Sequence, residues 1–419
     1  MTNTPRHIQR VYLLLTLLTT LAASFIWGVN TLFLLDAGLS NIEAFTANAF
    51  FSIGMVLFEI PTGVVADTRG RRLSFILGAV TLLVSTLLYL LMWRIGSPFV
   101  GWALVSIVLG LGFAFLSGAT EAWLVDALTA TNFTGNLETV FGRGQTVGGI
   151  AMLTGSVIGG VVAQATNLGV PFLLRAVMLL AAIAAAFWFM RDLGFKPKTG
   201  ISAVTAIKDV ARGSIEGGLR NRPVRWLMLA APFTGGVGVY AFYAMQPYLL
   251  ELYGDPTAYS IAGIAAAIVA GAQIIGGLTV PIVRRFFKKR TSALILATSL
   301  NVFILLGIGF TDSFWIALVL LSAWALTFAI AGPMRQAYLN GIIPSEQRAT
   351  VLSFDSFMGS IGGSLAQPAL GRVADVSGYA ASYLVAAGIN FLAIPFVFLA
   401  RREQASSDPI ENQREDART

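Results

Sequence analysis

The chain of 419 residues contains no cysteine, which excludes disulfides, thiolate metal sites and cysteine nucleophiles. Its one histidine, His7, stands near the N-terminus, so a histidine-based zinc site and a Ser-His-Asp triad are excluded as well. Charged residues are scarce, at 12%, about half the share of an ordinary soluble domain. No GxxxxGK[ST] loop occurs, which argues against nucleotide hydrolysis as the energy source. The sequence offers no metal site, no cofactor motif and no sign of an enzyme.

What it has is apolar residue, 56% of the chain, more than a soluble fold of this size could hide. Apolar stretches of bilayer-spanning length, roughly 20 residues each, recur throughout. Twelve are expected: 11–35, 45–66, 73–93, 99–126, 145–166, 170–190, 226–252, 259–282, 292–311, 314–335, 350–371 and 380–400. The first is too long for a cleaved signal and lacks a small-residue cleavage site, so it reads as an anchor that stays.

Twelve spans put both termini on one side, and the basic residues say which. Of 28 Lys and Arg, all but Arg94, Arg175 and Arg372 fall on the side of the termini, and positive residues stay cytoplasmic. The net charge of +7 is therefore topology rather than nucleic-acid binding. The expected location is the cell (inner) membrane, multi-pass, with the lipid bilayer as partner and a monomer as the working unit. Trp93, Trp102, Trp188, Trp226 and Trp315 fall at span ends, as an interfacial belt requires.

The expected organisation is a six-helix half over 1–190, a cytoplasmic linker over 191–225, a second six-helix half over 226–400 and a tail over 401–419. Within the linker, Ile201, Val204, Ile207, Ala211 and Ile215 recur at roughly helical spacing, with Lys208, Asp209, Arg212 and Glu216 elsewhere on the wheel. This fits a short amphipathic surface helix, or an exposed linker of accidental periodicity. The halves read as weak repeats. Phe113-Ala114 through Glu121-Ala122-Trp123-Leu124 aligns with Phe328-Ala329 through Gln336-Ala337-Tyr338-Leu339, and Asp36 with Glu251, at an offset of 215. Gly159-Gly160 aligns with Gly362-Gly363 after a shorter loop.

Between spans two and three stands Gly63-Val64-Val65-Ala66-Asp67-Thr68-Arg69-Gly70-Arg71-Arg72. Gly63 suits close helix approach, Gly70 a tight turn, Asp67 a neighbouring helix N-terminus, and Arg71 a carboxylate. This segment resembles the G-x-x-x-D-R-x-G-R-R signature of the major facilitator superfamily, in the loop where that family carries it; Thr68 replaces the usual basic residue. The resemblance implies an all-α 6+6 bundle with pseudo-twofold halves, working by alternating access. It also implies a cytoplasmic latch in which Asp67 and Arg71 join Asp126, at the inner end of span four, and the start of span eleven near Arg348 and Ala349 to Ser353. Drug/proton antiporters of the family carry a span-five pattern resembling G-x-x-x-G-P-x-x-G-G. Here Ala151 to Gly160 keeps the glycines, but Ser156 replaces the proline, and Val105 to Gly112 lacks the arginine many antiporters carry in span four.

Charges at membrane depth cost about 2.5–3.5 kcal/mol each at the centre of a span, so each needs a reason. Glu121, flanked by apolar and small residues, is the leading candidate for proton coupling, against a static pairing with Arg335. Glu59 is the second, against membership of the latch. Arg175 and Asp36 sit at similar depth, where an outer ion pair competes with snorkelling, and Asp355 reads as a helix-start charge. Trp27, Asn30, Thr31 and Leu34 share one face of span one. Tyr240, Tyr243 and Gln246 precede Pro247, which is expected to open span seven. With Arg335, these make the expected substrate cavity, while Gln273, Asn301, Trp324 and Gln367 are further residues at membrane depth.

The leading functional expectation is export of a small organic molecule in exchange for protons. The alternatives are uptake or facilitated diffusion of a metabolite, and a lipid flippase or non-transporting sensor on the same fold.

Overall fold

The computed structural model describes residues 4–197, 212 and 214–410 and is built from helices. In a bilayer this follows from the sequence, because long apolar stretches must satisfy their own backbone groups. The helices are α1 (Pro5–Trp27), α2 (Asn30–Asp36), α3 (Asn41–Arg69), α4 (Arg71–Ile95), α5 (Phe99–Leu116), α6 (Ala119–Ala130), α7 (Leu137–Ala165) and α8 (Val170–Phe189). They continue as α9 (Arg222–Tyr253), α10 (Tyr259–Val283), α11 (Arg290–Phe310), α12 (Phe314–Asn340), α13 (Ser345–Phe391) and α14 (Ala393–Arg402).

Among the described residues, eleven helices are long and apolar enough to cross a membrane. The last covers 53 residues, Thr350–Arg402, and leaves helical geometry at Gly378 (φ 83°, ψ 168°). A straight helix of that length would run about 80 Å, well over twice a hydrocarbon core.

Local signals set the helix ends. Thr4 caps α1 and Asn136 caps α7, each accepting from backbone N–H groups of the first turn. Ser40 and Glu43 form a capping box at α3. Three of the expected spans are broken, the last of them, 380–400, at Leu392 between α13 and α14. Span one parts at Gly28-Val29, and span four at Ser117-Gly118, where Gly118 takes φ +68°. Ser74 Oγ donates to Phe115 O beside the second break. Conversely, Pro247 does not open its span: α9 continues through both Pro232 and Pro247.

The chain forms two compact units, Met1–Ile207 with Asp255–Ala267, and Lys208–Gly254 with Ile268–Thr419. In the first unit, Ile8, Val11, Tyr12, Leu15, Phe75 and Trp123 pack into one buried cluster. A second cluster is aromatic, with the Phe33 and Phe172 rings tilted against each other at 4.1 Å between centroids and Tyr89 Oη bonded at 2.6 Å to Ser106 Oγ. The tryptophan belt is only partly realised. Trp188 and Trp315 are exposed, but Trp102 is fully buried and Trp93 donates to Asp36.

In the second unit, Val224, Leu227, Met228, Tyr338 and Val351 form the buried cluster. The segment after α14 folds back as a strap across it. Asp408, 1% exposed, accepts from Thr291 N (2.8 Å) and Thr291 Oγ1 (2.9 Å) at the start of α11. Ser407 Oγ donates to Tyr338 O, Ile410 N to Lys288 O, and Trp226 Nε1 to Glu403 Oε1. Most of the amphipathic segment expected over 201–216 lies outside the described residues. Its end, Ser214–Leu219, is a π-helical turn, and Arg212 Nε bonds Glu216 at 3.1 Å.

Candidate functional site

The joint between α3 and α4 is a single residue, Gly70, at φ +109° and ψ 151°, a conformation that side-chain-bearing residues resist. The turn brings Arg71 Nη1 to 2.6 Å from Asp67 Oδ1 and Arg71 Nε to 3.8 Å from Asp126 Oδ2. The three expected latch charges therefore meet within the first unit. Asp192, which the sequence reading passed over, completes the joint. Its Oδ1 accepts from Arg72 N at 2.9 Å, serving as a cap for α4. Its Oδ2 lies where a Cβ on Gly70 would stand. Arg72 Nη2 donates to Phe187 O, and Thr68 Oγ1 to Val64 O of its own helix. Gly63 departs from expectation within its own unit: it is exposed, and among the described residues of that unit a Cβ there would meet nothing within 4 Å.

The first unit holds a cavity of about 480 Å³ walled by α1, α3, α4, α5, α6, α7 and α8. Trp27, Phe113, Met55 and Thr16, Thr19 and Thr20 line it, and Glu121 and Arg175 supply its charges. The break at Gly118 puts Glu121 in the first turn of α6, an end of the helix dipole that suits an anion. Glu121 is exposed rather than buried by its flanks, and it makes no hydrogen bond or ion pair among the described residues. Arg175 is 2% exposed, so it does not snorkel. Its Nε donates to Thr86 Oγ1 at 3.0 Å and its Nη1 to Ala22 O, while its guanidinium faces the Phe113 ring. Asp36 instead accepts from Trp93 Nε1 at 2.9 Å.

The second unit holds a cavity of about 330 Å³ lined by Thr234, Asn301, Phe328, Arg335, Gln336, Asp355 and Asn390, among others. Arg335 grips Asp355 through Nη1 and Nη2 and donates from Nη2 to Leu227 O at 3.0 Å, so one guanidinium ties α9, α12 and α13 together. Asp355, read from sequence as a helix-start charge, is thus the partner of Arg335.

Ten lining positions of one cavity have a mate in the lining of the other. At an offset of 215, Phe113, Leu116, Ser117, Thr120 and Glu121 of the first match Phe328, Ala331, Gly332, Arg335 and Gln336 of the second. Thr16, Thr19 and Thr20 match Ala231, Thr234 and Gly235, and Arg175 matches Asn390. The offset of 203 that aligns Gly159-Gly160 with Gly362-Gly363 also pairs Met152 with Asp355. Every charge in one cavity faces an uncharged mate in the other. The walls are duplicated; the chemistry is not.

The expected cavity set divides accordingly. Trp27 lines the first cavity and Arg335 the second. Asn30 is 7% exposed and donates to Asn48 Oδ1 at 3.2 Å, and Thr31 is fully buried. Tyr240 donates to Ser382 within the packing of the second unit, Gln246 is 1% exposed, and Tyr243 packs edge-on against Phe242. These five line neither cavity. Interhelical polar contacts of this kind contribute about 0.6 kcal/mol each. Glu59 is exposed on α3 and lines neither cavity. The glycines of the span-five pattern do pack closely: a Cβ on Gly159 would overlap Phe25 O, and one on Gly160 would come within 2.8 Å of Gly263 Cα.

Known proteins agree with this architecture. The family profile of the Major Facilitator Superfamily matches residues 12–366 and 280–418, and the chain belongs to that family. It is a multi-pass membrane protein of a family of transporters rather than enzymes. An uncharacterized MFS-type transporter of Methanocaldococcus jannaschii is 24% identical over 196 residues, 46% of this chain and about half of the relative, 48%. The nucleoside transporter NupG shares the fold at a TM-score of 0.75 and 12% identity, over 94% of this chain and 98% of its own. The POT family transporter PepTSo gives 0.73 at 13% identity, covering 96% and 98%. A D-xylose-proton symporter gives 0.63 at 17% identity, covering 94% and 96%.

Proposed function

We propose that this chain is a secondary transporter that exports a small organic molecule in exchange for protons by alternating access. Six spans in each half, both termini in the cytoplasm, a place in the cell (inner) membrane and a monomeric working state belong to the same reading. The break at Gly378 supports the count of twelve, since it divides a segment long enough for two crossings.

The observation that carries the reading is the place of Glu121 in a cavity walled by Trp27, Phe113 and methionines, with no hydrogen bond or ion pair among the described residues. Since the chain's one histidine stands near the N-terminus, a carboxyl at membrane depth is the group left to carry a proton from one side to the other. The aromatic walls suit an apolar or weakly cationic organic molecule. Arg335 contributes the polar contact in the second cavity, and Glu59 is the reserve proton site. Asp67, Arg71, Gly70 and Asp126 act as the latch that biases one facing state.

A second reading, uptake or facilitated diffusion, is favoured by Ser156 in place of the antiporter proline and by the missing arginine of span four. Among the fold's relatives stand a nucleoside transporter and a sugar-proton symporter. The deciding experiment is growth inhibition across a compound panel in an efflux-deficient host, with and without the protein. Broadened resistance supports export, and sensitisation supports uptake.

A further inference from the structure

The turn between α10 and α11 combines three features that no transport step above uses. Arg284 and Arg285 stand in a 3-10 turn, Arg284–Phe286, directly after α10. Arg284 lines a cavity of about 410 Å³ whose opposite wall is the strap, Ser406 to Ile410. Its guanidinium is exposed and makes no hydrogen bond or ion pair among the described residues. Arg290, on the same cavity, is committed to Ser407 O and Pro409 O. The acids of the strap do not neutralise Arg284, because Asp408 is turned into Thr291 and Glu403 onto Trp226. Lys288 is exposed and Lys289 half-buried in the same turn, giving five basic residues over 284–290 and no acidic one.

An apolar stripe runs into this cationic turn. Ile275, Leu278, Ile282 and Phe286 are 54%, 74%, 56% and 81% exposed. Their spacing of three, four and four residues places them along one side of α10 and the 3-10 turn that continues it. Since α10 crosses the membrane, that stripe faces acyl chains up to the level where the arginines begin. A molecule that matches both parts has an apolar tail and an anionic head.

We propose that this turn binds an anionic glycerophospholipid, with its phosphate on Arg284 and its acyl chain along Ile275 to Phe286. Arg285, Lys288 and Lys289 add attraction for the negative head. The site is independent of what the protein transports.

The test is native mass spectrometry of the purified full-length chain with equimolar phosphatidylglycerol, phosphatidylethanolamine and phosphatidylcholine of one chain length. The wild type is expected to retain phosphatidylglycerol preferentially. Arg284→Gln and Arg285→Gln should each lower that occupancy about fivefold, leave the zwitterionic lipids unchanged, and differ from Lys196→Gln, which removes a charge elsewhere. Equal retention of the three lipids by the wild type overturns the proposal. So does an undiminished preference in the arginine variants, or displacement of the lipid by inorganic phosphate alone, which would mark a free-anion site. Thermal unfolding of the wild type gives a reading that needs no variant. Phosphatidylglycerol must raise Tm above its value in phosphatidylcholine, and no difference counts against the site.

Discussion

Arg335 holds Asp355 with both terminal nitrogens, joining α12 to α13 at the wall of the second cavity. Breaking a buried pair costs about 3–5 kcal/mol. Here the arginine side chain is 25% exposed, which lowers the expectation for Asp355→Asn to about 2 kcal/mol. Thermal unfolding in detergent measures it. Exchanging the two residues should recover part of the loss, and a double variant less stable than either single one would refute pairing as the cause.

The latch should behave differently. The Asp67 and Arg71 side chains are 26% and 20% exposed, so each contributes under about 1 kcal/mol to stability. Asp67→Asn and Arg71→Ala are therefore expected to fold normally and bind substrate, yet transport poorly, because they bias one of two global states. Gly70→Ala should in addition destabilise by about 1–2 kcal/mol. Loss of equilibrium binding with normal cytoplasmic accessibility in either charge variant would remove the gating role.

Glu121→Gln is expected to fold and to retain downhill exchange while losing accumulation driven by a pH gradient. Proteoliposomes with an imposed gradient, wild type beside mutant, make the comparison. Undiminished driven transport would transfer the role to Glu59. A wild type that ignores the gradient would replace antiport by facilitated diffusion.

Asp408 caps α11 from more than a hundred residues away in sequence. Asp408→Asn weakens that cap and truncation after Arg402 removes it, with an expected cost of about 1–2 kcal/mol for the loss. The truncated chain should exchange amide protons faster at Thr291 than the wild type does. Equal protection at Thr291 would mean that the strap is ornamental.

Topology is the fifth test. Reporters at Asn136, Ser214 and the C-terminus should score cytoplasmic and one at Asp255 external. Thr257 N and Oγ1 both donate to Asp255 Oδ1, which holds that carboxyl below the usual carboxylate range. The contribution of this turn is present above the ordinary carboxylate pKa and fades as pH falls through the lowered one, so the reporter should read normally at neutral pH. An external Ser214 would overturn the map.

Much of the fold was legible because a bilayer permits few alternatives. An apolar stretch of sufficient length has to be a helix, and the spans of α3, α4, α8 and α11 end within a few residues of where hydropathy places them. The joint was legible for a local reason: Asp67 and Arg71 stand four residues apart on either side of Gly70, the residue type such a turn requires. Pro247 misled, since a proline in a packed helix can be carried through when its neighbours hold the backbone. Asn30, Thr31, Tyr240 and Gln246 are harder to read, because a polar residue at membrane depth looks the same in sequence whether it faces a cavity or another helix.

By itself the sequence determined an all-helical membrane protein with a duplicated frame and a charged joint after its second span. These follow from composition, periodicity and short-range spacing, which act along the chain. Only the tertiary structure decided which charges meet. It set Asp355 against Arg335, turned Asp192 onto the joint at Gly70, and placed Glu121 in the cavity of the first unit. Partner choice between distant residues depends on how the helices are rotated against one another, and packing sets that rotation.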